Sequence, residues 1–426
     1  MSRINFFFFY FLLLQYSSKI IKIPFRVKEY TEKEKSSFME SLMKVDIITD
    51  ISIGSPSQNF ETLIQFNQYN FYISGSNTSN HKYDETKSSS YQKKEDPKIF
   101  HGEIFIKGQN STEKIKIGDN KFNDFPFLLI TEGKNNEISS IGLKPNSNIK
   151  SNKDINIIAQ LKLAEVINSY TFTIIFNKKE GKEEQKGEII IGGFPHEFNT
   201  EQFKTVNYYQ TKLVERLSVF WDFQVDDIKV GLDVLYGTKT ISIDIESNVI
   251  YGTREYLYFV NDTYFESYLQ YKECWFEVAS DQFNNKFDYY VCNKEFKPSF
   301  FPNLTFISKD FNTSFVFTYR DLFIEKNNNY YFLVIFNQKR DTIYNWVLGK
   351  QFLEKYPFVF DQERKIIGYY TQVLPKKFNW KSFILIFIVC LVFIFGMILG
   401  YSLIRKPRKR RANELLDDYD YLVEKG

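Results

Sequence analysis

Two widely separated parts of this chain are built to one plan. In the first, "TLIQFNQYNFYI" (Thr62 to Ile73) runs an apolar strand into a polar turn, and far downstream comes the apolar, glycine-ended "SSIGLK" (Ser139 to Lys144). In the second, "ISIDIESNVIYG" (Ile241 to Gly252) is followed far downstream by "WVLGKQF" (Trp346 to Phe352). A plan repeated across the length of a chain points to a duplicated lobe with pseudo-twofold symmetry. The 426 residues exceed what one hydrophobic core usually supports, so two lobes plus accessory segments fit the length as well.

Between Val45 and about Tyr370 short apolar or alternating runs are punctuated by Gly, Asn, Pro and Asp. "DIITDISIG", "GEIFIKG", "EKIKIGDNKF", "SYTFTIIF", "GEIIIGGF" and "FWDFQVDDIKVG" read as strands joined by turns. Helical patterning is confined to "NIIAQLKLAEVI", "TREYLYFVNDTYF" and "GKQFLEKYP". The expectation is an all-β bilobal body with a few short helices. The Lys/Glu-rich "NKKEGKEEQKG" is a solvated hairpin loop. With 43% hydrophobic residues and a formal net charge of +3, and with basic residues scattered apart from one terminal cluster, the chain offers no stripe for tracking phosphates; nucleic acid is not an expected partner.

Both ends carry membrane signals. Residues 1–17 place Arg3 before a short apolar core, Phe6 to Leu14, the pattern of a secretory signal peptide. Ser382 to Ile404 is free of charge and long enough to cross roughly 30 Å of hydrocarbon. "RKPRKRR" (Arg405 to Arg411) follows at once, and Trp380 stands at the outer boundary, so the large domain is expected on the lumenal or extracellular side and the tail in the cytoplasm. Sequons at Asn77, Asn110, Asn261, Asn303 and Asn312 all lie in the part that would be translocated. Cys390 falls in the span, which leaves Cys274 and Cys292 to form a local disulfide in an oxidising compartment. These limits divide the chain into a signal peptide (1–17), a short leader (18–44), two lobes (45–205 and 206–372), a juxtamembrane linker (373–381), a single span (382–404) and a tail (405–426).

The ordered series of segments resembles the pepsin-like aspartic peptidases. "IGSPSQNF" (Ile53 to Phe60) is similar to that family's "IGTPPQxF", "SIGLK" to its "GILGL", and "GEIIIGGF" to the segment before the lobe crossover. "FWDFQVDDIKVG" and "FPNLTF" resemble second-lobe strands, and "WVLGKQFLEKYPFVFDQERKIIGYY" matches the closing pattern over its full length. The resemblance implies a bilobal pepsin-like acid-protease fold with a deep cleft and one Asp from each lobe at its floor. Two such carboxylates cannot both ionise cheaply, so they share a proton; one acts as base toward water and the other as acid toward the peptide carbonyl, the standard instance of a coupled acid pair.

Laid on this sequence, the first-lobe Asp-Thr-Gly-Ser falls on Gln65, Phe66, Asn67 and Gln68, and the second-lobe Asp-Thr-Gly-Thr on Asp244, Ile245, Glu246 and Ser247. Gln65 replaces a catalytic Asp with a group that cannot exchange a proton, and Asp244 is retained. Phe66 and Ile245 remove the bracing hydroxyls. Asn67 and Glu246 remove the turn glycines; Asn tolerates a left-handed backbone, and Glu does so poorly. Glu246, two residues from Asp244, would present a second carboxylate on the same face, though from the same lobe. The flap hairpin is expected between Ser88 and Gly118, with Phe100 closest to the family's Tyr position. His81, His101 and His196 lie near no nucleophile motif, and neither a metal nor a cofactor is implied.

The leader "KIIKIPFRVKEYTEKEKSSFMESLMK" begins like the family's basic prosegment but is short; it reads either as a retained plug of the cleft or as a strand that completes the sheet. Tyr419 to Leu422 fits the Y-x-x-Φ pattern read by sorting adaptors, a match that an acidic unstructured tail accounts for equally. Three functions follow: a membrane-anchored pseudoenzyme whose cleft holds an extended peptide or a partner protein, an acid endopeptidase using Asp244 with an unconventional partner, and a surface adhesion or structural glycoprotein.

Overall fold

The computed structural model describes residues 19–75, 82–96, 98–101, 105–132, 139–145, 155–178, 184–214, 220–339 and 346–371, with Ile388, Ile394, Gly396 and Met397. The expected signal peptide, Asn77, residues 179–183 of the Lys/Glu-rich loop, the expected linker (373–381), the expected 382–404 span as a whole and the Tyr419–Leu422 motif lie outside the described residues. Among the described residues no helix is long and apolar enough to cross a membrane.

The architecture is mostly β with short helices, as the punctuated apolar runs predict. One 14-stranded sheet carries the first lobe and continues into the closing strands Phe358–Asp361 and Ile366–Tyr370. Sheets of nine and four strands form the second lobe. Thr171–Phe176 pairs with Phe358–Asp361, so the closing strands of the second lobe are stitched into the first-lobe sheet. The high Phe content, 45 residues, is spent on aromatic cores. In the second lobe Phe223, Phe311, Phe315, Phe352 and Phe358 are buried and meet mostly edge to face or tilted, the geometry ring quadrupoles favour.

The leader resolves toward the sheet reading. Ile21–Glu29 alternates inward Ile21, Ile23, Phe25 and Val27 with outward polar residues, the period of a half-buried strand. It lies between Lys186–Ile191 and Val45–Ile53, pairing Ile23 with Ile189 and Val27 with Ile47. Arg26, on its outer face, pairs with Asp50 at 2.9 Å and with Glu61. The chain then forms a short helix, Phe38–Leu42, capped by Ser37 and anchored by Met39, which packs with Val249, Tyr289 and Ile335 of the second lobe. Thus the leader belongs to both lobes before the first strand of the repeat begins.

Two details differ from the sequence expectation. "FWDFQVDDIKVG" is two strands, Asp222–Val225 and Asp227–Val230, in different sheets. The chain breaks at Asp226, whose amide bonds to Ile307 and whose carboxylate takes the Lys309 amide at 2.7 Å. "EKIKIGDNKF" is a hairpin that turns at Gly118, where φ is +57° and Gly is favoured. Cys274 and Cys292 form the expected disulfide, directly opposite each other in the hairpin of Cys274–Ser280 and Lys286–Cys292.

Because Ile23 is buried in the interior of the large sheet, Ile23→Ala is expected to lower stability by about 2–4 kcal/mol, measured by urea unfolding. A change below about 1 kcal/mol would mean that the leader strand is peripheral.

Candidate functional site

The two halves of the repeat form the same motif. Gln58–Gln65 runs parallel to Ser140–Gly142, matching Ile64 with Ile141 and Gln65 with Gly142, and Phe71–Ser74 returns antiparallel on the other side of Ser140–Gly142. In the second lobe Lys239–Ile243 runs parallel to Trp346–Leu348, matching Ile243 with Leu348, and Ile250–Gly252 returns antiparallel on its other side. One step beyond the Ile64 and Ile243 pairs stand Gln65 and Asp244. The registers therefore put these two residues at corresponding points of the two lobes. Gly142 and Gly349 are needed where each turn crosses: an added Cβ would lie 2.5 Å from the Gln68 carbonyl oxygen and 2.4 Å from that of Ser247.

The missing hydroxyls are replaced by apolar packing. Phe66 is buried edge-on against Phe172 and Phe360, at ring separations of 5.8 and 5.2 Å. Trp221 completes the cluster, with Phe360 at 4.9 Å, and its indole N–H donates to the Leu143 carbonyl at 2.9 Å, which ties the start of the second lobe to the first-lobe turn. Ile245 is fully buried. The expectation of a left-handed backbone is corrected: neither Asn67 nor Glu246 has a positive φ, so their side chains carry no such strain.

Gln65 is held firmly. Its Oε1 accepts from Ser140 Oγ at 2.7 Å and lies 3.5 Å from the Tyr72 hydroxyl. Its Nε2 donates to Glu246 Oε2 at 3.4 Å. The side chain of Glu246 thus spans the gap to the first lobe, a reach that strand periodicity alone could not show. Asp244 donates its amide to Leu348 and accepts the Glu246 amide on Oδ1 at 2.8 Å, so residues 244–246 turn rather than extend. Ser140 was legible in principle: in the parallel register its side chain falls on the same face as that of Gln65.

The electrostatics follow from burial and crowding. Burial pushes the Glu246 carboxyl up to about 8; Asp244 and Asp46 add to the rise, and the Gln65 amide and Lys44 oppose it. Asp244 is likewise raised by burial, against the Glu246 amide that stabilises its ionised form. The leader's end frames this pair: Val45 N donates to the Glu246 carbonyl at 2.7 Å and Asn248 N to Leu42 at 2.9 Å.

The other expected positions are dispersed. Phe100 lies on Lys98–His101, opposite Ile106 in the hairpin with Phe105–Ile117. Asn303 and Asn312 are exposed, and Asn312 Nδ2 donates to the Tyr209 hydroxyl at 3.1 Å. Asn110 and Asn261 are part-buried, their Nδ2 atoms engaged by Glu95 and Asp262. Among the described residues no cluster of His, Cys, Asp or Glu could hold a metal ion.

The model of the eukaryotic aspartyl protease family matches residues 47–372. The chain belongs to the eukaryotic aspartyl protease family. No curated protein matches it at a significant level. In an aspartyl protease the cleft between the lobes is the substrate-binding site, and the turns carrying Gln65 and Asp244 belong to its two repeats.

A carboxyl raised in the folded state is protonated there and ionised in the unfolded chain over the intervening pH range, so folding stability falls as pH rises through that range. For Glu246 the window runs from about 4.5 to about 8. Buried Asp222, also raised, tilts the curve the same way. Thermal unfolding from pH 5 to 8 should show a falling Tm, and Glu246→Gln should remove part of the fall, about 2–6 °C. An unchanged slope in that variant would place Glu246 in ordinary solvent.

Proposed function

We propose that this protein is a membrane-anchored member of the aspartyl protease family that binds an extended peptide or protein segment in its inter-lobe cleft without hydrolysing it by the two-aspartate mechanism. The observation that carries the reading is Gln65, which stands where the first lobe would supply an acid and is locked by Ser140 with its amide directed at Glu246. A carboxamide neither takes a proton from water nor returns one to a leaving amine. Loss of an essential acid or base costs 10²-fold or more in rate, and groups that act as a unit cost far more. The scaffold around it is intact, with both repeats and the glycine crossings in place, which supports a cleft kept for binding.

One observation favours a second reading, an acid endopeptidase with altered machinery: Glu246 brings a carboxyl across to Gln65, so the cleft floor still holds two acids. Detergent-solubilised full-length protein incubated with denatured protein from pH 3 to 6 separates the two. The binding reading expects no cleavage above that of Asp244→Asn. Cleavage abolished by Asp244→Asn and by Glu246→Gln would overturn it in favour of the endopeptidase.

The anchor and its orientation are part of the proposal. The uncharged 382–404 segment with its basic flank supports a single span with the cleft lumenal or extracellular, and the exposed sequons at Asn303 and Asn312 suit that side. Protein from a secretory host should shift on glycosidase treatment, and the shift should shrink in Asn303→Gln and Asn312→Gln. Unglycosylated product would contradict the orientation.

A further inference from the structure

We propose that the second lobe carries a binding site of its own for an aryl ester anion, a sulfate or phosphate monoester on an aromatic ring. The site shares no residue with the turns of Gln65 and Asp244, so it stands whatever the cleft does.

A cavity of about 540 Å³ opens where the loop after Lys286–Cys292 meets the turn Tyr319–Leu322 and the hairpin of Phe323–Lys326 with Asn329–Phe332. That volume lies in the range of small-molecule sites. Its apolar lining is aromatic: Phe296 and Phe323 are buried with ring centres 5.3 Å apart, and the half-buried Tyr330 ring stands 6.5 Å from Phe296. Phe296 is wedged from behind by Tyr268, at 4.9 Å. Cys292 lies opposite Tyr330 in the sheet and is bonded to Cys274, so the point where the loop leaves the sheet is fixed. Such a floor is formed before any ligand arrives, which lowers the cost of binding.

Three exposed cations, Lys294, Lys297 and Arg320, line the same cavity, and among the described residues none of them is paired with a carboxylate. Lys297 lies 5.9 Å from the Phe300 ring centre. Arg320 donates from Nε to the Tyr319 hydroxyl at 3.2 Å, which leaves the other guanidinium donors for an anion. The neighbouring acid, Asp321, is already engaged: it accepts the Thr318 amide at 2.7 Å and pairs with Lys355 at 2.8 Å. Glu325 is the acid on the lining, so three positive charges face one negative.

The combination defines the ligand. An excess of cations selects an anion, and the aromatic floor selects a flat ring. A sulfate or phosphate monoester presents three terminal oxygens, enough for an arginine fork and two ammonium groups together, whereas a carboxylate presents two. Free aryl esters and a tyrosine esterified at its hydroxyl share this chemistry.

The test is isothermal titration of full-length protein in non-ionic detergent at about pH 6, against a detergent blank, with 4-methylumbelliferyl sulfate and phosphate. Both should bind saturably, and inorganic sulfate and uncharged 4-methylumbelliferone should each bind about tenfold more weakly or worse. Arg320→Gln and Lys297→Gln should each weaken the aryl esters about tenfold, and Glu325→Gln should tighten them about twofold. These positions are exposed, so each variant should keep its Tm within about 2 °C, which separates lost binding from lost folding. A tyrosine-sulfated hexapeptide distinguishes the sources: binding tighter than the free ester assigns the site to a modified tyrosine of a partner, and equal or weaker binding to the free aryl ester. Absence of saturable binding, binding unchanged in Arg320→Gln and Lys297→Gln, or inorganic sulfate bound as tightly as the aryl ester would overturn the site.

Discussion

The cleft floor depends on one backbone arrangement made twice: a strand pairing in parallel with a short glycine-ended strand, so that the residue just past the pair is delivered to the floor. Ile64 with Ile141 and Ile243 with Leu348 are those pairs, and the close crossings at Gly142 and Gly349 leave no room for a side chain. Given this arrangement, the identity of the delivered residue is free to change without disturbing the fold. That is why Gln can stand in the first lobe while the sheet on either side is kept.

The bracing of the floor has changed chemistry without being lost. Family members join the two turns through hydroxyls, whereas here Phe66 enters an aromatic cluster with Phe172, Trp221 and Phe360 that draws residues from both parts of the chain. Dispersion and edge-to-face contacts are individually small but numerous in such a cluster. A hydroxyl brace also orients the reacting carboxylates; an aromatic one fixes the backbone and leaves the carboxyls to other partners. Glu246 takes its partner from the opposite lobe, and Gln65 is that partner.

Much of this was legible in the residues. The alternation of "IKIPFRV" marks a strand, the repeated plan marks two lobes, and the cysteine count leaves Cys274 and Cys292 to pair, as they do. What could not be read were features set by contacts distant in sequence. The break at Asp226 comes from backbone and side-chain bonds to Ile307 and Lys309, some 80 positions away, which no local pattern encodes. The reach of Glu246 depends on how the lobes face each other, so strand periodicity placed it beside Asp244 and missed Gln65. The concern over a left-handed backbone came from the glycines of the family motif, and the structure shows neither Asn67 nor Glu246 in the left-handed region. The leader's two readings were separated by pairing: its strand is enclosed by two others rather than laid across the cleft.

At the cleft floor a carboxyl at Glu246 stands beside Asp244, and burial holds its proton far above the ordinary carboxylate range. Carbon-13 NMR of side-chain carboxyls in glutamate-labelled protein, followed from pH 4 to 9 and assigned by loss of one resonance in Glu246→Gln, measures this directly. A single glutamate should titrate near pH 8. Titration of Glu246 in the ordinary range near 4.5 would contradict it.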